Sequence, residues 1–321
     1  VSTIWPALID HTERHRHRPA EPSAATLVMA TAGRFCREDR YGSRWVEFLA
    51  GEVWPICRFL TGPEYPKPAP TCQSINALIQ TFVCMTEVLR RGCLVSGRWG
   101  TRSANLSVAR AVRMLASRSA PPGEYAYWSG LRLLCASLCF YWSLAGTIAR
   151  NDFTTLASLM HVRIRTNGNE QPAVSTLPLL ALKSINWRLV KGFETRPMAG
   201  SDFLLSLLKG EFIDAAVHRD AAEELFDHVE LLISLEFAHL RLRQLAASVA
   251  PAWFWTPLGR FIGEHGSWGL IRRLAPYRDL RGDHPLLRAG LLGGSPESAA
   301  RAVQAILQSL ERGQATNILS T

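Results

Sequence analysis

The residues best placed for acid–base chemistry are Asp227 and Glu230. They stand three apart in a stretch with helical patterning, so a helix puts both carboxylates on one face. Paired carboxylates can move protons. More often such a pair holds an arginine or a helix N-terminus, and Arg260 in the Gly259-Arg260-Phe261 turn is the expected partner. Other signatures are weaker. Ser206-Leu-Leu-Lys209 has the S-x-x-K spacing in which a lysine activates a serine, but no S-x-N or K-T-G partner follows. His265-Gly-Ser267-Trp-Gly269 nearly matches G-x-S-x-G, with His265 where glycine should stand. A nucleophile elbow also needs a preceding strand over a parallel sheet, and neither is expected. His228-Val-Glu230 matches the H-x-E of zinc deaminases without the downstream cysteines that chemistry requires.

Metal and phosphate chemistry fare no better. None of the four lysines sits in a Gly-Lys-Ser/Thr loop, and G-x-G-x-x-G and H-E-x-x-H are absent. His11, His15 and His17 fall in HTERHRHR, where His-x-x-x-His suits a helical metal face. Three interleaved arginines would repel a cation, so a solvated segment is expected. Cys135 and Cys139, at i and i+4, are half a metal site or two small buried apolar residues, and the second reading is preferred. Neither a cofactor nor a metal is expected.

Two groups of residues suit binding instead. Arg34, Arg37, Arg40 and Arg44 fall near one helical face, interrupted by Glu38 and Asp39. With Arg98, Arg102, Arg110 and Arg113 they form a candidate nucleic-acid surface, and Trp45 and Trp99 stand beside them to stack on bases. A solvated arginine face is the competing reading. Trp253, Phe254 and Trp255, beside a proline turn, are a candidate protein interface, with core packing as the competitor.

The elements that must position these residues are helical. Apolar spacing predicts helices over 24–50, Ser74–Arg91 (with Gly92 as C-cap) and Asn105–Ser117. A loop at 97–103 and the proline-rich connector at 61–70 separate them. Helical patterning resumes from Tyr125 to Met160 with a break at Asn151-Asp152. Alternation at Val162–Arg165 ahead of Asn167-Gly168 is a hairpin signal. In the second half, helices are expected over Asp202–Leu208 with Ser201 as N-cap, over Asp220–Leu245, around 258–274, and from Pro296 to Leu310 with Ser295 as N-cap. The fold class is therefore all-α, with one short β-hairpin near 161–176. The expected organisation is a basic, cysteine-containing lobe at 1–165, an irregular linker at 166–200 and a C-terminal lobe at 201–321.

Composition agrees with a globular chain: 321 residues, 47% hydrophobic and 20% charged, which excludes disorder. The net charge of +9 lies mainly in the first half, where 18 basic residues face 11 acidic ones, against 18 and 16 in 161–321. Thirty-two of the 36 basic residues are arginine, a skew that fits a GC-rich bacterial genome. Seven irregularly spaced cysteines predict no disulfide framework. No signal peptide is expected, and a cytoplasmic location follows. Leu133–Ala149 runs 17 residues without a charge, at the lower edge of a membrane span. Tyr141 and Trp142 stand at its middle rather than its ends, so a buried core helix is preferred.

Three segments, LFDHVELLISLEFAHL (225–240), WTPLGRFIGEH (255–265) and HPLLRAGLLGGSPESAARAV (284–303), follow one another in a familiar order, with 149–177 upstream. Over about 125–310 the chain resembles the helical C-terminal region of large bacterial proteins linked to anti-phage defence. Those carry a sirtuin-like, Schlafen-type or P-loop effector part. The resemblance implies a sensing or scaffolding region without catalytic residues of its own, acting with an effector in cis or trans. The expected function is a non-enzymatic interaction or regulatory module with a protein partner, either an effector subunit or a second copy. Nucleic-acid binding through the basic first lobe is the first alternative. A membrane-inserted effector using Leu133–Ala149 is the second, although a membrane is not an expected partner.

Overall fold

A computed structural model describes residues 37, 42–63, 65, 71–117, 126–166, 169–178, 185–196, 198–214, 219–246 and 259–311. It is all-α with one two-stranded antiparallel hairpin. The first half holds α1 (Gly42–Thr61), α2 (Cys72–Trp99), α3 (Arg102–Ala116), α4 (Ala126–Arg132), α5 (Leu134–Ala149) and α6 (Phe153–Met160). The hairpin β1 (Arg163–Thr166) and β2 (Asn169–Pro172) leads into the short α7 (Ala173–Thr176). The second half holds α8 (Ala199–Asp214), α9 (Arg219–Ala246), α10 (Phe261–Arg278), α11 (Pro285–Arg288) and α12 (Pro296–Glu311).

The centre of the first half is α5. All its side chains from Leu134 to Ile148 are buried, as a helix apolar on every side must be. Gly130–Ala149 is long and apolar enough to cross a membrane, and in this fold its most apolar 18-residue window is entirely buried. Two of its hydroxyls are satisfied locally, Ser143 and Thr147 donating to the carbonyls of Phe140 and Leu144, while Ser137 donates to the Leu177 carbonyl.

Against α5 runs α2, at a distance only glycine permits. A methyl group on Gly97 would lie 2.5 Å from the Ser143 carbonyl oxygen, and one on Gly146 would overlap the Leu94 carbonyl. This explains a departure from the expected boundaries. Gly92 does not cap a helix, and 97–103 is not a loop. Both glycines lie inside α2, where Gly92 makes room for Trp45, Phe48 and Leu49 of α1. The helix instead begins with a capping box between Thr71 and Ser74, and ends at Gly100. Thr101 then caps α3, accepting from the Ala104 amide.

The break at 150–152 falls where Asn151 takes a left-handed φ of 59° and Asp152 accepts the Thr155 amide to cap α6. The hairpin pairs Arg163 with Pro172 and Arg165 with Glu170. Ile164 points into the core while its two arginine neighbours are exposed, the period-two alternation of a half-buried strand. The Asn167-Gly168 turn itself lies outside the described residues, as does the expected helical stretch over 24–36. Of the 24–50 region the described residues are Arg37, which is helical, and the helix from Gly42, which continues to Thr61.

In the second half α8 is longer than the expected Asp202–Leu208, and Ser201 lies inside it rather than capping it. Ser295 does cap α12, through the Ser298 amide. The buried apolar side chains of both halves join in one cluster running from α1 to α12. Tyr141 of α5 stacks on Phe226 of α9, with ring centroids 6.0 Å apart.

Candidate functional site

Helix α9 carries the candidate carboxylates. Its apolar residues, among them Val229, Leu232, Ile233 and Phe237, are buried, and this burial takes Asp227 and Glu230 inside with them. An ionised carboxylate pair cannot sit there without partners. The partners come from two neighbouring helices.

Asp227 is bracketed by two guanidinium groups. Arg260 Nη1 lies 3.1 Å from Oδ1, and Arg273 Nη1 lies 2.9 Å from Oδ2. Burial pushes the Asp227 pKa up, and the two arginines oppose that shift. Arg260 also approaches Asp202 of α8 at 3.6 Å and Glu223 at 3.8 Å, and Glu223 in turn pairs with Lys209.

Glu230 has a different set of partners. The Ser201 hydroxyl meets Oε1 at 2.5 Å, and the backbone amide of Arg260 donates to Oε2 at 3.0 Å. No guanidinium is hydrogen-bonded to it. The side chain is 3% exposed, and burial raises its pKa from 4.5 to about 8. Within this cluster the ion pairs of Lys209, Arg260 and Arg273 run to Asp202, Glu223 and Asp227 and not to Glu230, so burial favours its neutral form. Gly259 is required beside it, because a side chain there would fall on the Glu230 carboxylate.

The structure thus brings Asp227, Glu230 and Arg260 together in a buried network that ties α8, α9 and the start of α10. Next to it, His228 Nε2 and the Tyr277 hydroxyl lie 2.5 Å apart. Burial lowers the His228 pKa and raises that of Tyr277, so both are neutral.

A second buried tie on the same helix was not anticipated as a site. Glu236 Oε2 accepts the Leu292 amide at 2.6 Å, and Oε1 lies 2.8 Å from His161 Nε2. Leu292 and Gly293 have left-handed φ values of 52° and 71°, which turn the Leu292 amide toward the carboxylate. A side chain on Gly293 would press on the His239 ring. The available signal was a glutamate inside the apolar stripe of a helix, which had to find a buried partner.

The remaining candidates separate. Lys209 pairs with Glu223, and the Ser206 hydroxyl donates to the Phe203 carbonyl, so S-x-x-K forms no dyad. Ser267 lies within α10, not on a strand-to-helix turn. Cys135 and Cys139 are buried and free, and burial pushes the Cys135 thiol up. Among the described residues, no group of histidine, cysteine and carboxylate side chains could hold a metal. His11, His15, His17, Arg34, Arg40, Trp253, Phe254 and Trp255 lie outside the described residues. Of the arginine surface, Arg44, Arg102, Arg110 and Arg113 are exposed. Arg37 and Arg98 both lie over the Trp99 ring, at 5.3 and 5.1 Å. Trp45 is not available for stacking on bases. It is fully buried, and its indole N–H donates to Ser96 at 2.9 Å.

No protein-family model matches the chain, and no curated protein or solved structure does either.

Proposed function

We propose that the chain is a non-enzymatic helical interaction module, a sensing or scaffolding part of a bacterial system that works with an effector in cis or trans. One observation carries this reading. The carboxylates in the best position for acid–base work are spent on holding helices together. Each oxygen of Asp227, Glu230 and Glu236 has a partner from the fold, and in two cases that partner is a backbone amide of a distant segment. A catalytic carboxylate must reach substrate. These are ties between elements. The resemblance to helical regions of anti-phage defence proteins supports the same reading and suggests the setting.

The test is an Asp227→Asn, Glu230→Gln double variant in the native host. As a tie, Glu230 can be replaced by its near-isosteric amide, and Asp227→Asn keeps an acceptor for one of the two guanidiniums, so a variant that still folds restores the phenotype of a deletion strain. Loss of the phenotype with the fold intact favours an enzyme built on this network.

A second reading, nucleic-acid binding, draws support from the exposed Arg44, Arg102, Arg110 and Arg113. Its signature is an affinity for DNA or RNA that falls steeply with salt, by the number of phosphates contacted.

A further inference from the structure

Helices α1 and α3 lie side by side and run the same way. Trp45, near the start of α1, bonds Ser96 just ahead of α3, and Cys57 lies 4.0 Å from the Met114 carbonyl near the end of α3. Their outer surface is unusual in composition. Among the described residues, four large apolar side chains are exposed: Trp54 (63%), Leu106 (50%), Ile271 (42%) and Met114 (38%). Three of the four are on these two helices. Trp54 stands one turn before Cys57, on the exposed arc of α1. Leu106, Arg110 and Met114 follow at four-residue steps along one strip of α3.

The same surface is basic. Exposed arginines flank the apolar residues: Arg58 on α1, Arg102, Arg110 and Arg113 on α3, and Arg163 and Arg165 on the adjoining strand β1. The exposed acids on these elements and on β2 are Glu47 and Glu170, and Glu170 is 3.8 Å from Arg113.

We infer that this face docks an acidic amphipathic helix of a protein partner, a reading that rests on the interaction-module proposal and gives it a partner class. The face is complementary to such a helix in both spacing and charge. Leu106 and Met114 are eight residues apart, or about 12 Å along a helix. That is two turns of a partner helix laid along α3, whose apolar residues would meet them and Trp54 while its carboxylates meet the arginines. A nucleic acid would satisfy the arginines and stack one base on Trp54. It would gain nothing from Leu106 and Met114, since phosphates do not bury aliphatic side chains. The exposed aliphatic pair is what decides for protein.

The probe is a labelled 18-residue peptide with leucine at i, i+4 and i+8 and glutamate on its flanks. Controls carry lysine for every glutamate, or serine for every leucine. An 18-nucleotide oligothymidine and phosphatidylglycerol vesicles test the other polyanions. Fluorescence anisotropy should show saturable binding of the acidic amphipathic peptide alone. Arg110→Glu and the pair Leu106→Ser, Met114→Ser should each weaken it at least tenfold, about 1.4 kcal/mol. These side chains are exposed, so the variants keep the fold, and circular dichroism checks it. The inference is overturned if the peptide does not bind, if it binds the variants as well as wild type, or if only the oligonucleotide or vesicles respond to the substitutions. Isolation from the host separates this failure from that of the parent reading. A protein partner kept equally by wild type and the Leu106→Ser, Met114→Ser variant sinks this face but leaves the module. No protein partner with either chain sinks both.

Discussion

Glu230→Gln is the most informative single substitution. With a folded pKa of about 8 against an ordinary 4.5, the native state holds a proton that the unfolded chain releases between those values. Over that window the native state binds more protons, so stability falls as pH rises. The contribution is fully present below pH 4.5, fades up to about pH 8 and is then constant. Each pKa unit is worth 1.36 kcal/mol, so the whole loss is about 5 kcal/mol, of which about 3 kcal/mol has gone by pH 7. Glutamine is neutral throughout. Its carbonyl can accept the Arg260 amide and its NH2 can donate to the Ser201 hydroxyl, which reproduces the protonated carboxyl. Urea unfolding of both chains at pH 5 to 9 measures the difference. Near pH 5 the two should be close. The variant should then gain on wild type by up to about 1.4 kcal/mol per pH unit and level off above pH 8. A difference that is flat across this range, or a variant that loses stability as pH rises, would refute a neutral buried Glu230.

Other outcomes follow from the packing. Gly97→Ala and Gly146→Ala each push a methyl group into facing backbone that cannot rotate away. The overpacking, roughly 1–3 kcal/mol or more, should outweigh the ~1 kcal/mol alanine gains in a helix and lower the urea midpoint. Glu236→Ala leaves the Leu292 amide buried without its acceptor. It should cost about 2–3 kcal/mol and speed hydrogen exchange at Leu292 ahead of the rest of α9. Trp45→Phe removes the donor to Ser96 and should cost about 1–3 kcal/mol in the same unfolding assay.

Local patterns were legible where local physics decides. The 3.6 periodicity of α9 was plain, and with it the shared face of Asp227 and Glu230. Arg260 was the expected partner, and its guanidinium does meet Asp227. For Glu230 it is the Arg260 amide that serves, with the backbone at Gly259 lying close against the carboxylate. The hairpin showed in the alternation around Ile164. What was not legible depends on a second element. Gly92 and Gly97 look like terminators when α2 is read alone. They are interior positions because α1 and α5 press against them. Ser201 has the character of an N-cap, but its place against α9 makes its hydroxyl the partner of Glu230 Oε1. Trp45 resembles a stacking residue beside arginines, yet the core takes it whole. In each case the sequence holds the residue type, and a partner distant in the chain decides its use.

The proposal of an interaction module is tested most directly by isolating the tagged chain from its native host at low and at moderate salt and weighing the complex by native mass spectrometry. The account predicts a protein partner in fixed stoichiometry that persists at moderate salt. A chain that comes away alone, or with nucleic acid that leaves as salt rises, would contradict it.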